Sequence, residues 1–292
     1  MRYAAIDIGS NSCRLLIAAL NDNKLMPVYN QLETTRLAAG LNHSGEMNEE
    51  ALERTLLCLE EFRKKINSYD VGKYRAIATS AVREASNGKQ FINLVDQRCQ
   101  LKVEVVNGEE EARLSYLGVE KGLQLNHPPL VVDLGGGSTE FICNDQDFII
   151  SVPLGAVRAT ELAMSAQEIA RRLADVEKMA DHFRNYPLVI VGGTASSLVA
   201  IKLGLEIFDS SRVHGHILTR QDLADIYQIL VVTPLSLRKR MPGLQPERAD
   251  IISQGALIVL MIVDLLKKTE IIVSETDLLQ GMIWLGESFK NI

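Results

Sequence analysis

Residues 130–142 read LVVDLGGGSTEFI, and residues 4–17 read AAIDIGSNSCRLLI. Aligning Asp133 with Asp7 also aligns Leu134 with Ile8, Gly135 with Gly9, Ser138 with Ser12 and Ile142 with Leu16. Each copy is an apolar run, an aspartate, a glycine turn carrying hydroxyls and a second alternating run, which predicts strand, tight turn, strand. Glycine lets such a turn approach an anion closely and aim its N–H groups at it. An aspartate at the strand end then stands beside that anion, where it suits a metal or metal-bound water. Two copies predict a duplicated architecture in which both hairpins face one cleft.

A third glycine turn differs in kind. Pro187 to Lys202 predicts a strand, then Gly192-Gly193, then a helix with Thr194 as its cap and free N–H groups at its start. No G-x-x-x-x-G-K-[ST] loop is present, nor a G-x-G-x-x-G opening a helix in a βαβ unit. Residues 48–67 place Leu52, Leu56, Leu59, Phe62 and Ile66 on one helical stripe, and 109–123 and 159–184 also read as helical. Asn126-His-Pro-Pro129 is the natural linker, since proline cannot continue the preceding helix. The expected domains are therefore 1–125 and 126–292.

Composition narrows the function classes. The 292 residues are 47% hydrophobic and carry a net charge of −6, which argues against a nucleic-acid partner, since that needs a basic face. A small anion can still bind in a locally positive pocket. Asp7, Gly9, Ser10 and Asn11 interrupt the N-terminal apolar run before a leader core forms, and the longest apolar stretch, Ala256–Val263, is far short of the ~20 residues that span a bilayer. A soluble, cytoplasmic protein is expected, with no membrane partner. Cys13, Cys58, Cys99 and Cys143 form no C-x-x-C pair and read as buried, reduced thiols. His214 and His216 could share a strand face, but no third ligand accompanies them, so a structural role is expected. Trp284, in an apolar C-terminal helix, reads as core.

In order along the chain stand IDIGSNSCRLLI, ATSAVREASNG, NGEEEARLSYLGV, VDLGGGSTEF, VGGTASS, VHGHILT and GLQPERADII. Together they resemble the exopolyphosphatase/guanosine pentaphosphate phosphatase family, over most of the chain. The resemblance implies an α/β fold of two actin-like ATPase (ribonuclease H-like) domains flanking an active-site cleft, in the short form without the helical C-terminal domains of longer members. It also implies magnesium as cofactor and hydrolysis of a terminal phosphoanhydride. Polyphosphate is then the leading substrate and guanosine pentaphosphate the alternative. A sensor that binds either without turnover, and a homodimer, are further expectations.

Carried over by position, the resemblance places the water-activating residue at Glu111, the last glutamate of Gly108–Glu111; Glu109 and Glu110 simply suit a helix start. Asp7 matches the aspartate of the first phosphate hairpin, and Asp133 and Glu140 are assigned to magnesium, as hard cations prefer carboxylate oxygens. Ser10, Asn11, Gly135, Gly136, Gly137, Ser138 and Thr139 are expected to donate to phosphate oxygens, with Gly193 and Thr194 at the third turn. Arg83 follows a strand beginning at Tyr74, and its guanidinium can grip phosphate as a fork. Arg14 can face the cleft or solvent. One departure stands out: the family commonly reads S-x-x-G-L-R-E-G where this chain has Ser274 to Gly281, so Leu279 replaces an arginine. If that arginine touches substrate in relatives, its loss favours polyphosphate over the nucleotide.

Overall fold

The computed structural model describes residues 1–21, 24–286 and 290–291. The predicted duplication is present as two sheets of one topology. In the first, β1 (Arg2–Ile8), β2 (Cys13–Asn21) and β3 (Lys24–Glu33) form an antiparallel meander, and β4 (Lys73–Ala78) and β5 (Val103–Val105) extend it in parallel beyond β1. In the second, β6 (Leu130–Leu134), β7 (Thr139–Cys143) and β8 (Phe148–Val152) form the meander. There β9 (Leu188–Val191), β10 (Ile217–Thr219) and β11 (Glu270–Val273) complete the sheet, with β9 and β11 parallel to β6. Parallel neighbours need crossover connections, and helices supply them. The helix Glu49–Ser68 buries Leu56, Leu59, Phe62 and Ile66 of the predicted stripe. This is the actin-like, ribonuclease H-like α/β fold, twice over.

The expected domain limits need correcting at both ends. One compact unit holds Met1–Gly118 and the chain from Leu278 onward; the other holds Val119–Asp277. The first boundary falls inside the helix Gly108–Gly122 and not at the prolines, because the last turn of that helix packs on unit 2: a Cβ on Gly122 would stand 1.9 Å from Thr276 Oγ1. At the other end, Leu278, Leu279, Met282 and Ile283 of the helix Leu278–Leu285 share a core with Ala5, Leu16, Ile77 and Leu114. A short strand, β12 (Lys290–Asn291), then pairs with β4. Gly281 lets this helix cross the Glu111 helix, since a Cβ there would meet the Leu114 carbonyl oxygen at 1.9 Å. Backbone cannot yield cheaply, so Gly281→Ala is expected to cost about 1–3 kcal/mol as an overpacked contact, read as a lower urea midpoint.

The predicted helix over 159–184 is broken into Ala156–Glu161, Ala166–Arg172 and Ala174–Glu177. Ala163 turns to φ 46°, and Ser165 with Glu168 forms a capping box that starts the next helix afresh. All four cysteines are buried and free, and Trp284 is half-buried. No helix among the described residues is long and apolar enough to cross a membrane.

Candidate active site

The two glycine hairpins are built alike, down to the bond that closes them. Gly9 N–H donates to Ser12 O at 3.1 Å, and Gly135 N–H to Ser138 O at 3.0 Å. In the second loop every remaining carbonyl is tied back. Gly135 O accepts from Ala156 N at 3.1 Å, and Gly136 O accepts from Val157 N at 2.9 Å and Arg158 N at 3.0 Å. Gly137 O accepts from Arg158 Nε at 2.6 Å. No peptide among the described residues is cis, so each carbonyl turned toward residues 156–158 turns the next N–H, those of Gly136, Gly137 and Ser138, the opposite way. Three backbone donors are thereby aimed outward from one loop, the arrangement an anion requires. The contact is close: a Cβ on Gly155 would come within 2.4 Å of Gly136.

The first loop uses other partners for the same end. Ser10 O accepts from Ala38 N at 2.9 Å and Asn11 O from Arg36 N at 2.8 Å, which directs the N–H groups of Asn11 and Ser12 away. Ser10 and Asn11 are both buried, and Asn11 Nδ2 has no acceptor among the described residues. A buried amide donor left unsatisfied costs about 1–3 kcal/mol, a cost that a ligand oxygen removes.

Behind the loops the two hairpins diverge. Asp7 stands opposite Arg14 in the ladder, and Arg14 Nε and Nη2 both reach Asp7 Oδ2 at 2.9 Å. Arg14 therefore faces the hairpin. At the matching place in β6–β7, Asp133 stands opposite Glu140. Glu140 is 1% exposed and accepts from Ser151 Oγ at 2.7 Å. Two carboxylates directly across a ladder repel unless a cation or proton intervenes. Among the described residues no cluster of three or more His, Cys, Asp or Glu is gathered. A pair of carboxylates fits magnesium, which keeps several waters and takes one or two acids plus phosphate oxygens.

Glu111 lies in the first turn of the helix Gly108–Gly122, which Asn107 caps through Oδ1 to Glu110 N at 2.9 Å. The three glutamates part company there. Glu109 is exposed, Glu110 pairs with the buried Arg75, and Glu111 is 9% exposed. Arg83 Nη1 donates to Val106 O at 2.7 Å and to Glu111 Oε2 at 3.4 Å, so the two residues singled out as catalytic are brought together. Ser80, close by in sequence, donates its hydroxyl to Glu84 at 2.7 Å.

Thr139 is fully buried and donates its hydroxyl to Leu154 O. One expectation is corrected here. Thr194 does not cap its helix. Gly192, at φ 99°, is the cap residue, and Thr194 packs against Gly255. Gly193 lies under the guanidinium of Arg248, whose Nη1 is 2.1 Å from where a Cβ would be.

Comparison with known proteins then places the chain. A sequence model of the Ppx/GppA phosphatase family matches residues 16–287. The chain belongs to that family. Among Ppx/GppA relatives, Exopolyphosphatase 2 of Mycobacterium tuberculosis is 31% identical over 96% of this chain and 97% of its own length. A bifunctional 3-dehydroquinate synthase/phosphatase of Fusobacterium nucleatum is 34% identical over 98% of this chain, which spans 47% of that protein's length. The crystal structure of the Aquifex aeolicus family member covers 99% of both chains at 32% identity and TM-score 0.80. That of an exopolyphosphatase from Cytophaga hutchinsonii covers 98% of this chain and 97% of its own at 26% identity and TM-score 0.90.

Of the further residues that shape these Ppx/GppA loops, Arg36, Ala38 and Arg158 lie outside every quoted motif and Arg248 lies inside one. Arg158, Arg36 and Ala38 shape the loops through long-range backbone bonds that no local pattern announces. Arg248 sits inside GLQPERADII, where its contact with Gly193 is invisible in sequence. Leu279 is 3% exposed and packs in the unit 1 core, so this position offers no arginine charge. Because Arg158 gives a charge-assisted bond to Gly137, Arg158→Leu is expected to cost about 1.5–3 kcal/mol in urea unfolding and to raise KM for the anion.

Proposed function

We propose that this Ppx/GppA protein is a magnesium-dependent exopolyphosphatase that removes the terminal phosphate of inorganic polyphosphate. The carrying observation is the second hairpin, where three outward N–H groups stand on a loop whose strands bring Asp133 opposite Glu140. In this reading the N–H groups of Gly136, Gly137 and Ser138 hold the terminal phosphoryl oxygens, and the Asn11 amide with the first loop holds the adjoining phosphates. Asp133 and Glu140 would hold magnesium, directly or through water, which when bound offsets charge on the phosphoryl oxygens. Glu111 orients a water in line with the terminal phosphorus and takes its proton. The new P–O bond forms as the bridging P–O bond breaks, and phosphate and a chain shortened by one unit result. Arg83 holds the Glu111 carboxylate in place for that step.

The preference for polyphosphate rests on the match to an exopolyphosphatase along nearly its whole length and on the leucine that stands at position 279 in place of an arginine. The test is phosphate release, with magnesium, from long-chain polyphosphate, short-chain polyphosphate and guanosine pentaphosphate in parallel, with Glu111→Ala as blank. Fastest turnover of a polyphosphate supports the reading. Preference for guanosine pentaphosphate replaces the substrate, and tight binding of any of the three without release makes the protein a sensor.

A further inference from the structure

The chain passes between the two units twice, once within the helix Gly108–Gly122 and once between Asp277 and Leu278. On the unit 2 side the two passages meet at one imidazole. His214 Nδ1 accepts the backbone N–H of Glu275 at 3.1 Å, and His214 Nε2 lies 3.3 Å from Gly122 O. An accepting Nδ1 carries no proton, so the ring is the Nε2–H tautomer and donates to Gly122 O. That carbonyl ends the helix whose first turn bears Glu111. The carboxylate of Glu275 in turn takes Ser196 Oγ, which is also 3.3 Å from Gly192 O. A Cβ on Gly192 would stand 3.6 Å from Asp133 Oδ1. One chain of contacts thus runs from the end of the Glu111 helix, through His214, to the turn beside Asp133.

We propose that His214 is a positioning residue for the phosphohydrolase reaction, holding the last turn of the Glu111 helix to the Ser274–Asp277 segment; the kinetic part rests on the hydrolase reading above. Glu111 lies about 16 Å along the helix axis from Gly122, so a tilt of about 4° there displaces the carboxylate by about 1 Å. A displacement of that size is worth about 100-fold in rate when a nucleophile must be in line.

Three variants separate the two bonds. His214→Phe keeps the ring and loses both; His214→Asn places an acceptor where Nδ1 was, and His214→Gln a donor where Nε2 was. The measurements are kcat and KM for polyphosphate, the thermal midpoint, and hydrogen exchange at the Glu275 amide. His214→Phe is expected to lower kcat about 10- to 100-fold with KM within about threefold. Its Glu275 amide should exchange at least about tenfold faster. His214→Asn should restore the Glu275 protection, and Asn and Gln should each recover part of kcat. Unchanged kcat in His214→Phe, or a loss that tracks the thermal midpoint and that neither Asn nor Gln lifts, overturns the positioning role. If the wild-type protein releases no phosphate at all, the hydrolase reading fails separately. The Glu275 amide then decides the latch alone: faster exchange in His214→Phe, reversed by Asn, upholds it, and unchanged exchange removes it.

Discussion

Glu111→Ala should release phosphate about 10²- to 10⁴-fold more slowly than the wild-type protein while still binding the substrate. The carboxylate stands in the first helical turn, 9% exposed and against Arg83, and removing it takes away the acceptor for the water's proton. The hairpin donors that hold the phosphate are backbone groups and stay where they are. Binding should therefore survive, visible as ligand-dependent thermal stabilisation of the mutant. The neighbours supply controls. Glu109 is exposed, so Glu109→Ala should leave both rate and stability near wild type. Glu110 partners the buried Arg75, which also meets Glu104 at 3.2 Å, so Glu110→Ala should cost stability before it costs rate. Release by Glu111→Ala above a tenth of the wild-type rate would remove the assignment.

Glu140→Arg is expected to abolish the magnesium response and lower phosphate release by at least about 100-fold. The substitution gives the second hairpin the cross-strand pair that the first already has in Asp7 and Arg14. Because the first hairpin shows that this ladder geometry accepts an aspartate opposite an arginine, the variant should fold. Its metal-free thermal midpoint should equal or exceed that of the metal-free wild type, since two facing carboxylates are replaced by an ion pair. The decisive reading is thermal stabilisation by magnesium without substrate, present in wild type and absent in the variant. Magnesium stabilisation that persists in Glu140→Arg would place the metal elsewhere.

The hairpins were legible in the sequence because their chemistry is local. An apolar run ending in aspartate and glycine specifies both the turn and the register, and Asp7 and Asp133 occupy the same position in each ladder. The proximity of Glu111 and Arg83 was implied only by resemblance, and the fold supplies it by bringing the Arg83 side chain to the first turn of the Glu111 helix. What escaped was set by distant backbone. The carbonyls of Gly135–Gly137 are claimed by residues about twenty positions downstream. Thr194 looked like a cap by residue type, but a left-handed Gly192 had already taken that place. The burial of Leu279 in the unit 1 core was not announced either, because a short motif does not say which face of a helix is covered. The domain boundary hid because a continuous helix crosses it, and helical periodicity carries no mark where its packing partner changes.

The helix Leu278–Leu285 completes the core that β1 and β2 begin, with all of unit 2 between them in the chain. On the ribosome, the sheet of β1 and β2 thus emerges before unit 2 and closes after it. Unit 2 is contiguous and can fold while translation continues, whereas the apolar faces of Ala5, Leu16 and Ile77 wait for a segment synthesised much later. The nascent chain therefore passes through a stage with one half able to close and one sheet still short of the helix that covers it.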